Sequence, residues 1–526
     1  MTSGRTSELP GHLHSDTIFD LVIARADATP DDTLVIDEHR RTTSFREFRE
    51  SVERVAAGLA ERGVTAGTVV SWQLPSWTET MVLTMALSRI GAVQNPLIMM
   101  LREPEVEFIC RQVGSRLLIV PEEFRGYAHG EMARSVAARL PGIDVLVTDR
   151  TLPRAEPRTE QPPPKPTDVR WVFYTSGTTS KPKGARHVDA GLLAAAETFC
   201  EAIAPGPNDR IAALAPIAHV GGVLHLLVAL MSGAALITTD VFEPEATARL
   251  LADTGVTLGG NGTPFAQAFL RQQRARDGRL FPDLRAFLIG GAPRPVALHR
   301  EVSSELGGVG LVSGYGLTEC PFLAWGSPSG SPNEIAVTEG RPGPGTFVRI
   351  VGADGSDVAA GERGELRVKA RQLTVGYVDA ALDVEAFDDD GYFRTGDLAF
   401  LDDEGCLNIV GRLKDVIIRN MENISAREVE DHLVTVPGLV DSTIIGLPDP
   451  ETGERVCAVV VPEDAAAAPS LAGVCEHLVG RGLNKRKLPV QLEVLDQLPR
   501  NAMGKVVKKD LARLFGEEHP TSRGVN

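Results

Sequence analysis

Trp171-Val-Phe-Tyr174 runs directly into Thr175-Ser-Gly-Thr-Thr-Ser-Lys-Pro-Lys-Gly184. The first four residues have the apolar, aromatic character of a buried strand. The next ten make a loop of glycines and hydroxyls with two lysines. Glycine lets the backbone bend so that N–H groups converge on an anion, and the hydroxyls and ammonium groups add donors. The same composition occurs in flexible linkers, but a strand before the loop and Lys181 and Lys183 within it point to phosphate. The chain contains no Gly-Lys-Ser/Thr, so this is not the loop of P-loop NTPases. From its own residues the stretch implies a nucleotide or polyphosphate site.

On the N-terminal side, strands and helices alternate. Phe45 to Arg62 carries Phe48, Val52, Val55 and Leu59 on one helical stripe. Thr68–Trp72 is strand-like, Thr80–Ile90 helical, and Ala92-Val93 opens another strand. Ser115–Val120 and Asp144–Thr148 come next as strands. This alternation predicts an α/β fold with largely parallel sheets and helices. Leu152 to Asp168, dense in proline and charge, is expected to be a surface loop. Ile211 to Thr239 lacks Asp, Glu, Lys and Arg. Pro216, His219, His225 and Gly221-Gly222 interrupt it, so it is read as a loop, a buried helix and a buried strand rather than a membrane span.

From about Val348 short strands alternate with Gly/Asp turns (GADGS, DDDGY, DDEGC), predicting a β-rich subdomain at about 340–411. Beyond it, a helix from Ala426 and strands at Ser442–Ile445 and Val456–Val461 predict a small α+β domain. The expected division is a large N-terminal domain of mixed and parallel sheets over 1–411 and a smaller mobile domain over 412–526.

The chain has 526 residues, 43% hydrophobic and 24% charged, with a formal net charge of −16. This suits a soluble globular protein and disfavours nucleic acid and anionic lipid as partners over most of the surface. Six scattered cysteines without a CxxC pair fit free thiols, and with no apolar N-terminal segment the expected location is the cytoplasm.

Tyr174-Thr-Ser-Gly-Thr-Thr-Ser-Lys-Pro-Lys-Gly184 resembles the phosphate-loop signature of the adenylate-forming superfamily, which includes acyl-CoA synthetases, nonribosomal peptide adenylation domains and luciferases. Four further stretches stand in that family's order: GYGLTE at Gly314–Glu319, FRTGD at Phe393–Asp397, GRLKD at Gly411–Asp415 and PRNAMGK at Pro499–Lys505. The resemblance spans about residues 15 to 510, and five ordered motifs do not coincide by chance.

The resemblance implies ATP, Mg²⁺ and coenzyme A as cofactors or co-substrates, and a carboxylic acid activated as acyl-adenylate. Thr175, Ser176, Gly177, Thr178, Thr179 and Lys183 would surround the phosphates. Gly291, Ala292 and Pro293 would flank the adenine on which Tyr315 stacks, beside Gly316. Thr318 would bond the α-phosphate, and Glu319 would hold Mg²⁺, a hard cation suited to carboxylate oxygen. Asp397 would accept from the ribose hydroxyls, and Arg412 would support ribose and phosphate. Lys505 would bridge the acid and the α-phosphate as charge builds during attack. Lys414 matches the hinge about which the C-terminal domain turns.

His219 alone could be a core or turn residue; the resemblance makes it a gate between acid pocket and thiol tunnel. Its pocket neighbours would be Val220, Gly291 and Gly316. No Asp anchors an amino group there, so a fatty, alicyclic or aromatic acid is expected. Where relatives commonly have two glycines, this chain has Asn420-Met421, a departure that could narrow a pantetheine tunnel. Transfer to a carrier-protein thiol, an amine or another acceptor in natural-product biosynthesis is the alternative to CoA. Luciferase-type oxygenation and a binding-only pseudoenzyme are further alternatives, the last disfavoured because every charged motif residue is present.

Overall fold

The computed structural model describes residues 12–157, 165–175, 182–291, 296–420, 422–500 and 506–516. Contacts divide the chain into two compact units: 1–292, 298–348 and 368–393 form the first, and 293–297, 349–367 and 394–526 the second.

The first unit is built on two sheets. One has nine strands, and its middle is parallel: Leu311–Leu317, Ala286–Gly290, Leu258–Gly260, Arg210–Ala213, Ala235–Thr238 and Thr33–Ile36 lie side by side. Antiparallel strands close its edges. The other has six strands, parallel except for the antiparallel pair Val169–Thr175 and Lys183–Val188. Parallel strands need crossover helices, so both faces are covered and central strands such as Leu117–Val120 and Ala235–Thr238 are buried along their length. Trp72, Trp171, Phe48, Phe199, Leu226 and Leu288 belong to one continuous core that serves both sheets.

The helix Phe45–Glu61 carries the predicted stripe and begins at a capping box between Ser44 and Glu47. Gly58 on this helix meets the chain at Pro153 and Arg154, where a Cβ would stand 2.4 Å from the Pro153 carbonyl carbon. The proline-rich stretch is therefore no free surface loop at its start: Leu152 is buried and Ala155 N–H donates to Arg54 O. Ile211–Thr239 also differs from its expected form at its beginning, where Arg210–Ala213 is a central strand; four residues are too few to show a period. The buried helix Val220–Ser232 and strand Ala235–Thr238 come after it as expected. No helix among the described residues is long and apolar enough to cross a membrane.

A four-stranded sheet, Phe347–Val351, Gly364–Lys369, Phe393–Leu401 and Leu407–Arg412, falls mostly in the second unit. That unit also carries a five-stranded sheet around the long hairpin Leu439–Asp449 and Gly453–Pro462, with the helix Ala426–Leu433 packed on it.

Candidate functional site

In open α/β sheets ligands gather beyond the carboxyl ends of the parallel strands. Among the described residues, Thr175, Gly291, Tyr315 and Gly316 stand there. Gly290 pairs with Gly314 in register, which sets Gly291, exposed and at φ +71°, beside the strand end bearing Tyr315 and Gly316. Gly316 must be glycine: a Cβ would lie 2.6 Å from Phe322 N, in the bulge where the chain folds back. Thr175 pairs with Lys183 at the end of an antiparallel hairpin, so the two ends of the phosphate loop are held together. Ser176, Gly177, Thr178, Thr179, Ala292, Pro293, Met421 and Lys505 lie outside the described residues.

Thr318 and Glu319 occupy the turn between Leu311–Leu317 and Cys320–Trp325. The turn is gripped from two sides. Nε2 of buried His187 donates to Thr318 O at 2.9 Å. Burial holds the His187 pKa down to about 4 against the raising effect of that bond, so the ring is neutral. From the other side Thr374 N–H donates to Glu319 O at 2.6 Å, and the Tyr377 hydroxyl donates to Glu319 Oε1 at 2.6 Å. Burial, and then the Glu319 charge, push the Tyr377 phenol far up, which keeps it a donor. Lys183 Nζ lies 5.7 Å from the centre of the same ring.

Glu319 is 8% exposed. Among the described residues the hydrogen bond to its side chain comes from a neutral phenol. A buried carboxylate in this state is costly unless a cation completes it. Its oxygen donors suit a hard dication such as Mg²⁺.

His219 is the N-cap of Val220–Ser232: its Nδ1 accepts from Gly221 N–H at 3.2 Å. Val220 behind it is buried. The structure thus gives His219 a local task that its sequence context did not reveal. It also shows a polar chain that the sequence did not announce. Leu214 N–H donates to Asn261 Oδ1 at 2.9 Å, Asn261 Nδ2 to His225 Nε2 at 3.3 Å, and His225 Nδ1 to Gly221 O at 2.7 Å. Asn261 sits at φ +116°, an unusual value for a residue with a side chain.

In the second unit, Asp397 and Arg412 face each other in register across two antiparallel strands. Arg412 Nε meets Asp397 Oδ1 at 2.9 Å; the acid is buried and the arginine exposed. Lys414 lies exposed in the turn Leu413–Asp415. Val416–Arg419 and Glu422–Ser425 pair as a hairpin, with Arg419 opposite Glu422, so two residues connect the strands. Asn420 has φ +51°, a conformation in which Asn and Gly are the favoured residues.

These strand ends bring Gly291, Tyr315, Gly316, Thr318 and Glu319 together on a doubly covered α/β scaffold. The chain belongs to the AMP-binding enzyme family: the family's model matches residues 22–378, and that of the AMP-binding enzyme C-terminal domain matches 428–505. The medium-chain fatty-acid–CoA ligase of Escherichia coli (strain K12) is 29% identical over 512 residues, covering 94% of this chain and 90% of that one. A feruloyl-CoA synthase of an Amycolatopsis species is 32% identical over 506 residues, 94% of this chain and 98% of its own. The crystal structure of ATP-bound MatB from Rhodopseudomonas palustris superposes with a TM-score of 0.84 at 26% identity, covering 96% of this chain and 99% of that one.

Proposed function

We propose that the protein is an ATP-dependent carboxylate–CoA ligase that activates an apolar acid (fatty, alicyclic or aromatic) as its acyl-adenylate and passes it to the thiol of coenzyme A. Membership of the AMP-binding family and relatives that are acid–CoA ligases support the reaction class. The observation that carries the site is Glu319, a buried carboxylate with one oxygen held by Tyr377 and the turn before it held by His187.

ATP is placed with its phosphates against the loop from Thr175 to Lys183 and its adenine between Tyr315 and the turn Gly291-Ala292-Pro293. Asp397 takes the ribose hydroxyls, with Arg412 orienting its carboxylate. Thr318 holds the α-phosphate. Mg²⁺ on Glu319 supplies charge neutralisation for the phosphate oxygens. Lys505 brings an ammonium to the acid carboxylate and the α-phosphate, lowering the repulsion between two anions. His219, Val220, Gly291 and Gly316 border the acid. In the second half-reaction the thiolate attacks the mixed anhydride carbonyl and AMP leaves, after the domain 412–526 turns about Lys414.

The turn geometry at Asn420 favours CoA as the acceptor. The left-handed conformation asks for Gly or Asn, so Asn420 keeps the backbone path that glycine would give. At Asn420 the departure from glycine is then a substitution within turn chemistry. The test is a panel of acids with ATP and Mg²⁺, following pyrophosphate with and without CoA. Thioester from at least one apolar acid is expected. Pyrophosphate release with no thioester would favour a carrier thiol or an amine as acceptor and reject the CoA step.

A further inference from the structure

The segment Thr374–Val378 belongs to none of the five motifs, yet it is bonded on one side to the strand leaving the phosphate loop and on the other to Glu319. Arg186 N–H donates to Gly376 O at 3.0 Å, Val375 N–H to Arg186 O at 3.0 Å, and Val378 N–H to Gly184 O at 2.8 Å. Thr374 Oγ1 adds a bond to Arg186 O at 2.8 Å while its N–H reaches Glu319 O. Gly376 turns the chain at φ +112°, and a Cβ there would stand 2.6 Å from Asp383 Oδ2. The next residue is then anchored through its own N–H, which donates to Asp383 Oδ1 at 2.8 Å. Tyr377 is thus fixed at both ends, buried, with its hydroxyl on Glu319 Oε1 and its ring face 5.7 Å from Lys183 Nζ.

A carboxylate has two oxygens, and one hydroxyl bond decides which of them is committed to the protein. Outer partners of this kind orient metal ligands, and their loss weakens metal binding about 10- to 100-fold. Phenylalanine would fill the same apolar space, so packing alone does not require the hydroxyl.

We propose that Tyr377 is a positioning residue for the divalent cation: its hydroxyl holds Oε1 of Glu319, presents the other carboxylate oxygen to the metal, and ties that ligand to the lysine beside the phosphate loop. This rests on the reading of Glu319 as a metal ligand. Holding the acid, ATP and CoA constant, Tyr377→Phe raises the Mg²⁺ concentration for half-maximal pyrophosphate release about 10- to 100-fold, and saturating Mg²⁺ restores the rate. Mn²⁺ binding in the presence of ATP, monitored by electron paramagnetic resonance, weakens by the same factor. In a Glu319→Gln background the Tyr377→Phe change has no further effect on Mn²⁺ binding.

An unchanged metal midpoint in Tyr377→Phe, whether or not the rate or thermal stability falls, overturns the proposal, because a merely structural tyrosine behaves that way. If that variant fails to fold, 3-fluorotyrosine placed at 377 keeps the shape of the residue. Its fluorine resonance is expected to move as MgATP is added, and a resonance that stays still overturns the proposal. Wild-type protein that binds Mn²⁺ and ATP but releases no pyrophosphate with any acid would reject the ligase reading, while the Mn²⁺ comparison still decides the role of Tyr377.

Discussion

Acidification is expected to unfold the first unit through buried histidines that the fold keeps neutral, His187 and His225 among them. His187 and His225 are buried, and burial pushes both pKa values from the ordinary 6.5 down to about 4, against the opposing pull of a carbonyl on each ring. The unfolded chain takes up these protons below about pH 6.5 and the folded chain does not until about pH 4, so stability falls as pH drops through that window. Between pH 7.5 and pH 5 each ring costs about 2 kcal/mol, and the pair about 4 kcal/mol. That is a large share of the roughly 5–15 kcal/mol typical of a folded domain. The four tryptophans, Trp72, Trp77, Trp171 and Trp325, all lie in the first unit, so denaturant unfolding monitored by their fluorescence reports on it. His225→Gln is expected to be less stable at neutral pH, since it disturbs the bonds to Gly221 and Asn261, but to lose about 2 kcal/mol less on acidification. Adding His187→Gln should remove about 2 kcal/mol more, leaving the share of His129, whose pKa burial also pushes down to about 4. A double variant whose pH dependence matches the wild type would refute this reasoning.

Asn420→Gly should leave stability and the KM for CoA unchanged, whereas Asn420→Ala should cost about 1–2 kcal/mol because alanine resists positive φ; thermal unfolding and thioester kinetics check both. A marked fall in the KM for CoA on Asn420→Gly would mean that this side chain obstructs the thiol. Lys505→Ala should slow acyl-AMP formation about 10²–10³-fold while thioester formation from supplied acyl-AMP survives; equal losses in both halves would sink the role given to this lysine.

Much of the architecture was legible in the order of residues. The stripe of Phe48, Val52, Val55 and Leu59 announces its helix, and the Gly/Asp turns announce the short strands of 347–412. These signals are local, because a period or a turn residue carries its meaning within a few positions. The strand Arg210–Ala213 was missed because its partners, at Ala235 and Leu258, lie outside any sequence window.

The site divides in the same way. The strand before it and the two lysines within it make Thr175–Gly184 readable as a phosphate-loop candidate, and the ordered motifs single out Glu319, Asp397 and Arg412 as site candidates. That Arg412 would meet Asp397 depended on strand register, which one residue of slip would destroy. Tyr377 is 58 positions from Glu319, and His187 is 131 from Thr318. Nothing local distinguishes that tyrosine or that histidine from a core residue. The sequence by itself offered the candidate chemistry: a loop suited to phosphate, a carboxylate for a cation, a lysine near the C-terminus. Only the tertiary structure decided which groups hold that chemistry in place, because a hydrogen bond between distant residues exists only once the sheets have set their strand ends side by side.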